Sequence, residues 1–139
     1  MAQAEVARGG LPFAAIVVNQ RGEIISRGLN TVAISEDPTD HAEIRALRAA
    51  SKKLKSSELT NHNVYVIGHP CEMCMAALKL AKPKKIIFAL SLEEKNQFFK
   101  PIKTAPPIEQ VLENKKQALK VFEQWAQSSS LKLKGSIIN

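Results

Sequence analysis

The spacing of apolar residues along the chain predicts four strands and three long helices. Short, largely apolar runs bounded by turn-forming residues predict the strands, at residues 14–18, 23–28, 63–67 and 85–90. A turn at residues 19–22 joins the first two strands as a hairpin with a connection longer than the tightest types. Helices separate the second, third and fourth strands, an order that favours parallel pairing in that part of the sheet.

Apolar residues at helical spacing predict the long helices at residues 41–54, 71–82 and 106–127. The first follows the turn-prone residues 37–40, and Pro83 ends the second. One side of the third carries its large apolar residues: Ile108, Val111, Leu112, Leu119, Phe122 and Trp125. We interpret Trp125 as part of a core or of a dimer interface. Residues 1–8 predict a further short helix.

Two short motifs lie at the starts of the first two long helices, His41-Ala42-Glu43 and Pro70-Cys71-Glu72-Met73-Cys74. His41 and Glu43 fall within one turn, and the two cysteines, three residues apart, can present both thiolates on one helix face. One imidazole and two thiolates can bind zinc and leave its fourth position open, as in catalytic zinc sites. The positive ends of both helix dipoles help to keep the thiolates deprotonated. The motifs therefore predict a catalytic zinc site with Glu43 placed to move protons.

Three simpler interpretations compete with a catalytic site. The two cysteines fit a redox pair, but such pairs usually follow a strand in a thioredoxin-like unit, and the upstream His-x-Glu motif completes a metal set instead. A closed structural zinc site would need a fourth ligand, for which His69 is the nearest candidate in sequence and His62 a more distant one. Glu43 also fits a capping box with Asp40, in which it would bond back to the start of its helix.

Four stretches of the sequence together resemble one known family: residues 9–18, 28–30, 37–44 and 70–77. In order, spacing and residue type they are similar to the cytidine and deoxycytidylate deaminase superfamily, specifically to its branch of guanine deaminases and tRNA adenosine deaminases. The match falls within residues 9–90, and the chain from Ser91 onward matches much less clearly. The resemblance implies a three-layer α/β/α fold of the cytidine-deaminase type, with a central mixed sheet of about five strands, in a single zinc-dependent deaminase domain spanning residues 1–139.

The resemblance also implies what the motif residues do. One Zn²⁺ per chain is held by His41, Cys71 and Cys74 and lowers the pKa of a water molecule. Glu43 takes a proton from this water and delivers it to the ring nitrogen and then to the leaving amine, so that ammonia is released.

Three further residues align with family groups that contact the base. Asn30 aligns with an asparagine that hydrogen-bonds the base, the backbone N–H of Ala42 with a donor to a ring carbonyl or nitrogen, and Phe13 with an aromatic residue of the pocket. Two of them also have ordinary structural interpretations. Phe13 fits core packing, and Asn30 fits a turn residue after Gly28.

Three other residues depart from the family pattern. Many relatives carry Glu where this chain has His69 and Gly where it has Ala14, and Ala is frequent where it has Asp40. None of the three departures affects His41, Cys71, Cys74 or Glu43. We interpret His69 as a group beside the site or on the surface, and Ala14 as a residue that narrows the space near the base.

The charge of the chain bears on the class of substrate. Twenty Lys and Arg residues against thirteen Asp and Glu give a net charge of +7, which favours binding to polyanions. Candidate basic patches are Lys52 with Lys53, Lys82 with Lys84 and Lys85, and Lys132 with Lys134. Aromatic residues make up only 5% of the chain, however, and single-stranded nucleic acid is usually bound on aromatic platforms.

The segment after the last predicted strand, like the low aromatic content, argues against a nucleic-acid substrate. Residues 91–105 lack the His-Pro and Asn-His pairs that tRNA adenosine deaminases usually carry. The sequence therefore favours a small-molecule nucleobase, guanine or a related free base, as substrate. The alternatives are a tRNA adenosine-to-inosine deaminase and a non-catalytic, zinc-stabilised interaction domain, and Glu43 argues against the second because a scaffold needs no proton carrier.

Composition sets the remaining expectations. The 139 residues, 45% of them hydrophobic, are enough for one core without disulfides. Both cysteines are assigned to metal, which indicates a reducing compartment. Neither a signal peptide nor a membrane span is visible in the sequence. We therefore expect a cytoplasmic protein that does not bind membranes. Relatives are generally homodimers, and we expect this chain to form one.

Overall fold

The protein is described by a computed structural model over residues 1–128. The chain divides into two compact units, Met1–Ile102 and Lys103–Asn139. The first unit contains α1 (Ala2–Ala7), β1 (Ala14–Val18), β2 (Ile24–Leu29), α2 (Val32–Ser35), α3 (Ala42–Leu54), β3 (Asn63–Gly68), α4 (Glu72–Ala81), β4 (Lys85–Leu90) and α5 (Leu92–Asn96). The described part of the second unit contains α6 (Lys115–Gln127). Both motifs lie in the first unit, and a single deaminase domain over the whole chain stays a prediction.

The strands of the first unit form one mixed sheet in the order β2-β1-β3-β4. Strand β1 pairs antiparallel with β2 and with β3, and β3 pairs parallel with β4, where Val64 lies opposite Ile86. The predicted α/β architecture is confirmed, and so is parallel pairing for β3 and β4, whereas β2 pairs with β1 and not with β3. The hairpin between β1 and β2 is also confirmed, and it turns at Gly22, whose φ of 81° is left-handed.

Within the described residues the sheet has four strands, whereas the resemblance implied about five. After β4 the chain turns at once into α5, which a capping box stabilises. The Ser91 hydroxyl accepts the N–H of Glu94, and the Glu94 carboxylate accepts the N–H of Ser91. Beyond α5, Pro101, Pro106 and Pro107 lack the N–H groups that a further strand would contribute to the ladder.

Helix α3 packs closely against β1 and β2, and small residues make this approach possible. A Cβ at Gly28 would collide with the carbonyl oxygen of Ala42 and lie 2.6 Å from the backbone nitrogen of Ala46. On the same strand, the buried hydroxyl of Ser26 donates to the carbonyl oxygen of Ala46 over 2.7 Å. The core below α3 and α4 is accordingly built from small and branched side chains: Ala15, Val17, Ala42, Ala46, Ala50, Leu59, Val64, Val66, Leu78 and Ala81. The first turn of α3 is thereby held directly on the sheet.

Helix α6 begins at Lys115, so the predicted helix start at residue 106 is wrong. Ile108 and Leu112, in the segment before α6, are exposed by 75% and 83%. Asn114, just before α6, has a left-handed backbone (φ 55°) that separates the two segments. Trp125 is 40% exposed and α6 contributes no buried residue, so the core interpretation of Trp125 is wrong, while its place in a dimer interface stays a prediction.

Two further expectations concern the surface. Lys82, in one of the predicted basic patches, is paired with Glu58 over 2.9 Å, and the patch at Lys132 and Lys134 lies outside the described residues. Within residues 1–128, no helix is both long and apolar enough to cross a bilayer.

Candidate active site

His41 lies at the N-cap of α3 with an extended backbone (φ −72°, ψ 158°), and its side chain makes no capping hydrogen bond. Its Nδ1 instead lies 3.6 Å from the Sγ of Cys71 and 3.5 Å from the Sγ of Cys74. The predicted meeting of the histidine and the two cysteines is therefore present in the structure.

Cys71 occupies the equivalent position in the other helix, at the N-cap of α4. Its Sγ accepts the backbone N–H of Cys74 over 3.5 Å, which is a helix-capping bond made by sulfur. Two helix N-termini thus face the same three side chains. Because each N-terminus carries a partial positive charge, both favour thiolate over thiol at this place.

The distances among the three side chains fit a zinc ion. Their ligand atoms lie within 4.8 Å of one another, and in residues 1–128 this is the group of His, Cys, Asp or Glu side chains that could hold a metal. Ordinary Zn–N and Zn–S bonds in a tetrahedron place nitrogen and sulfur ligands about 3.6 Å apart. The observed separations of 3.6 and 3.5 Å agree with this value. Three protein ligands leave one position for water or substrate, which is the arrangement of a catalytic site.

The two histidines considered as a fourth ligand lie outside this group. The Nδ1–H of His69 donates to the carbonyl oxygen of Pro70 over 2.8 Å, and its ring packs edge-on against Phe88 with centroids 4.9 Å apart. His62 has its Nδ1 2.9 Å from the carbonyl oxygen of Thr60. The geometry therefore gives no support to a closed four-ligand site.

The two thiols differ in how readily they lose a proton. Hydrogen bonds from the side chain and the backbone N–H of Cys74, with the charge of His41, lower the pKa of Cys71 to about 5. The hydrogen bond with Cys71, burial and the nearby carboxylate of Glu43 raise the pKa of Cys74. At neutral pH the site offers a cation one ready thiolate, and the proton of the second thiol has to leave when the cation binds.

Glu43 lies in the first turn of α3, with its carboxylate beside the candidate metal ligands. The thiol of Cys74 donates to its Oε2 over 3.5 Å. The N-cap of the helix is His41 rather than Asp40, and no side chain caps it, so the capping box considered from the sequence is absent. A carboxylate in this place can exchange protons with a group bound at the metal.

The residues predicted to contact a base lie around the start of α3. The N–H of Asn30 donates to the carbonyl oxygen of Phe13 over 3.4 Å, and the Oδ1 of Asn30 accepts the N–H of Val32 over 3.1 Å. Phe13 packs against the core and also against Phe99, with ring centroids 4.8 Å apart. Ala42 is buried in the first turn of α3. Both structural interpretations of Asn30 and Phe13 are thus visible, and the contacts of all three residues with a base stay predictions.

Other residues near the site carry no signal in the sequence. Phe99 follows α5 in a stretch without apolar periodicity, and its partner Phe13 is distant in the chain. Lys95 on α5 donates its ammonium group to the carbonyl oxygen of His69 over 2.7 Å, and its aliphatic stem would touch a side chain built at Gly68. Only the fold brings Phe99 to Phe13, and Lys95 to the segment that precedes Cys71.

Comparison with known proteins establishes the family. The family model of the cytidine and deoxycytidylate deaminase zinc-binding region matches residues 1–90 of the chain. The chain belongs to this family. The resemblance predicted from the motifs is confirmed, and zinc is the cofactor of the family region that contains His41, Cys71 and Cys74.

Two kinds of deaminase are similar to this family member. Guanine deaminase of Bacillus subtilis (strain 168) is 42% identical over 80 residues, which are 58% of this chain and 51% of the relative. A tRNA-specific adenosine deaminase of Buchnera aphidicola subsp. Schizaphis graminum is 41% identical over 96 residues, which are 68% of this chain and 63% of the relative. The chain thus spans between half and two thirds of the length of these curated relatives.

A solved structure extends the comparison to the fold. The X-ray structure of Bacillus subtilis guanine deaminase matches with a TM-score of 0.79 at 32% identity, covering 92% of this chain and 88% of the other. The cytidine-deaminase-like α/β fold expected from the sequence is therefore confirmed, with four strands in the described sheet.

Proposed function

We propose that this protein is a zinc-dependent hydrolase that deaminates a nucleobase, with guanine or a related free base as the leading substrate. The position of Glu43 carries the proposal, because its carboxylate lies 3.5 Å from a sulfur of the metal-ligand cluster. A purely structural zinc site needs its ligands but has no use for a carboxylate beside them. Hydrolysis needs a group that moves protons between water, ring and leaving amine, and Glu43 is placed for that task.

The reaction follows from the residues around the cluster. His41, Cys71 and Cys74 would hold a Zn²⁺ ion, whose contribution is to activate water at the open fourth position. Glu43 would take one proton from that water and pass it to a ring nitrogen, and it would later carry the second proton of the same oxygen to the exocyclic amine. The water oxygen would bond to the carbon that carries the amine, the carbon–nitrogen bond would break, and a carbonyl would remain at that carbon as ammonia leaves.

Three groups beside the start of α3 would hold the base. The bond from the N–H of Val32 to the Oδ1 of Asn30 fixes the amide and leaves its NH₂ group to donate to the base. The backbone N–H of Ala42 belongs to the first turn of a helix, where amides have no acceptor within the helix. The ring of Phe13, supported by Phe99, would form an apolar wall.

A free base is the leading substrate because of how far the likeness to a guanine deaminase extends. The family region ends at residue 90, but the match to the guanine deaminase structure covers 92% of the chain. It must therefore include most of the segment after β4, where the sequence lacks the pairs typical of tRNA adenosine deaminases. This agreement supports guanine or a closely related aminated ring.

Two observations favour tRNA adenosine as a second candidate. The tRNA-specific relative is nearly as identical as the guanine deaminase, at 41% against 42%, and the chain carries a net charge of +7. A tRNA substrate would be bound through its phosphates. Its apparent affinity would then fall steeply with added salt, whereas the binding of neutral guanine would change little.

The test is to measure ammonia release by zinc-loaded protein from guanine, adenine and cytosine, and inosine formation in tRNA, at two salt concentrations. We expect ammonia from guanine, no inosine, and no activity in a Glu43→Ala variant that still binds zinc. Inosine formed only at low salt, with the free bases untouched, would replace guanine by tRNA adenosine. Zinc binding without turnover of any substrate would favour the non-catalytic interaction domain.

We also propose that the protein is a homodimer. Tyr65 and Ile67 leave 39% and 37% of their surface exposed on one face of the sheet, and Phe122 on α6 leaves 70%. Apolar surface of this kind is typical of surfaces that bind another protein. Light scattering after size-exclusion chromatography should give twice the 15.3 kDa chain mass, and a monomer at micromolar concentration would refute the proposal.

A further inference from the structure

Asp40 is a buried carboxylate immediately before the proposed metal ligand His41. It is 6% exposed, and Ser26 is the other polar residue in the described core. Burial of a charge is costly unless the charge is paired and hydrogen-bonded. Asp40 is also one of the residues at which this chain departs from the family pattern, so its partners are of interest.

Two arginines of α3 pair with this carboxylate. Arg48 donates from Nη1 to Oδ1 of Asp40 over 2.7 Å, and Arg45 donates from Nη1 to Oδ2 over 3.4 Å. The arginines are three residues apart and therefore lie on one face of the helix. They tie Asp40 to the body of the helix that begins at the proposed metal site.

Thr31 connects the same carboxylate to the segment that carries Asn30. The hydroxyl of Thr31 donates to Oδ2 of Asp40 over 3.1 Å, and the N–H of Thr31 donates to the carbonyl oxygen of Asp40 over 3.0 Å. Arg45 also donates to the hydroxyl oxygen of Thr31 over 2.9 Å. The next residue, Val32, donates its N–H to the Oδ1 of Asn30. These hydrogen bonds, together with the peptide bond between Thr31 and Val32, connect α3 to the side chain of Asn30.

We propose that Asp40, Thr31, Arg45 and Arg48 form a clasp that sets the distance between the Asn30 segment and the metal site. Asp40 is its centre and acts as a positioning residue, because it holds Thr31 and both arginines together. The inference rests on the proposed function, in which Asn30 contacts the base. The clasp fixes in advance the gap that the base enters, so less ordering is required when the base binds.

The clasp should affect the binding of the base more than the binding of metal. His41 is held independently, since the close contact between Gly28 and Ala42 and the Ser26–Ala46 hydrogen bond keep the start of α3 on β2. The Asn30 segment, in contrast, is tied to α3 through the bonds of Thr31 with Asp40 and with Arg45, which belong to the clasp. Loss of the clasp should therefore loosen Asn30 and leave the metal ligands in place.

Two variants test the clasp in different ways. Asp40→Asn keeps the size of the side chain but removes the charge that both arginines share. Thr31→Val keeps the branched shape and removes only the hydroxyl, so the buried charge retains its arginines. Glu58→Gln is the matched control, since it breaks the 2.9 Å ion pair with Lys82 away from the site.

Three readouts apply to each variant: amide hydrogen exchange, zinc affinity by chelator competition, and steady-state kinetics on whichever base the wild type deaminates. We expect exchange at the amides of Thr31 and Val32 to rise at least about tenfold in both clasp variants and to stay unchanged in the control. Zinc affinity should stay within about threefold of the wild type. KM should rise about tenfold, with a smaller change in kcat, because the base is held less well before reaction.

Some outcomes would overturn the inference. Unchanged exchange at Thr31 and Val32 would show that the clasp does not hold the segment. A loss of zinc affinity as large as the rise in KM would show that Asp40 acts through His41 instead. If the wild type deaminates no base, the proposed function fails, and the exchange and zinc measurements still decide whether the clasp exists.

Discussion

Replacing Gly28 with alanine should push the first turn of α3 away from β2. A Cβ at this position would lie 2.6 Å from the backbone nitrogen of Ala46 and still closer to the carbonyl oxygen of Ala42. Ordinary contacts begin near 3.4 Å, so the helix has to move by about 0.8 Å or more. Both neighbours are backbone atoms, which cannot avoid the new methyl group by changing rotamer.

The displacement has two measurable costs. Overpacking of this kind costs about 1–3 kcal/mol of unfolding free energy, which would lower the melting temperature by about 4–15 °C in a chain of this size. Disturbed support of a metal ligand costs about 10–100-fold in metal affinity. Because His41 directly precedes Ala42, we expect zinc to bind at least about tenfold more weakly to Gly28→Ala.

The Gly22→Ala variant is the control that separates the loss of stability from the loss of zinc affinity. Gly22 lies in the turn after β1 with a φ of 81°, and no atom would come within 4 Å of an added Cβ. An alanine there is strained by about 1 kcal/mol through its backbone alone. Thermal unfolding and chelator competition should therefore show both variants destabilised and only Gly28→Ala impaired in zinc binding. Wild-type zinc affinity in Gly28→Ala would refute the reasoning that this contact positions His41.

Two further predictions concern the segment around the cysteines. The lowered pKa of Cys71 makes it a thiolate at neutral pH, whereas the raised pKa of Cys74 keeps this thiol protonated. Zinc binding should therefore release about one proton per chain, and the affinity for zinc should fall as the pH falls. Calorimetry in buffers of different ionisation enthalpy measures this proton, and an identical binding enthalpy in every buffer would contradict the prediction. The Lys95→Met variant loses the 2.7 Å bond to the carbonyl oxygen of His69, which leaves that acceptor unpaired beside α4. We therefore expect the free energy of unfolding, measured with urea, to fall by about 1–3 kcal/mol. Stability equal to that of the wild type would show that the bond is replaced by water.

The sequence was most informative where a local rule determines the structure. Strands β1 and β4 begin and end at the predicted residues because apolar runs bounded by turn residues are short-range signals. The meeting of His41, Cys71 and Cys74 could be predicted for the same reason, since His-x-Glu and Cys-x-x-Cys combine ligand chemistry with a spacing that fits the first turn of a helix.

Contacts that follow no sequence periodicity were not visible in the sequence, whether the residues are near or far apart in the chain. The bonds from Thr31 and Arg48 to Asp40 join residues that follow no periodic pattern, and the contact of Phe13 with Phe99 joins opposite ends of the first unit. In the segment before α6, the sequence pattern predicted helix where the structure has none. Ile108, Val111 and Leu112 continue the apolar stripe of α6, but the helix begins only at Lys115, after the left-handed backbone of Asn114.

Glu43→Gln gives the most direct test of a catalytic zinc site. The substitution keeps the size of the side chain and all three metal ligands, and removes the group proposed to carry the proton. We expect the variant to retain one zinc per chain and to release ammonia from guanine at least about 100-fold more slowly than the wild type. A variant that retains zinc and deaminates at the wild-type rate would contradict the assignment of Glu43 and the proposal that depends on it.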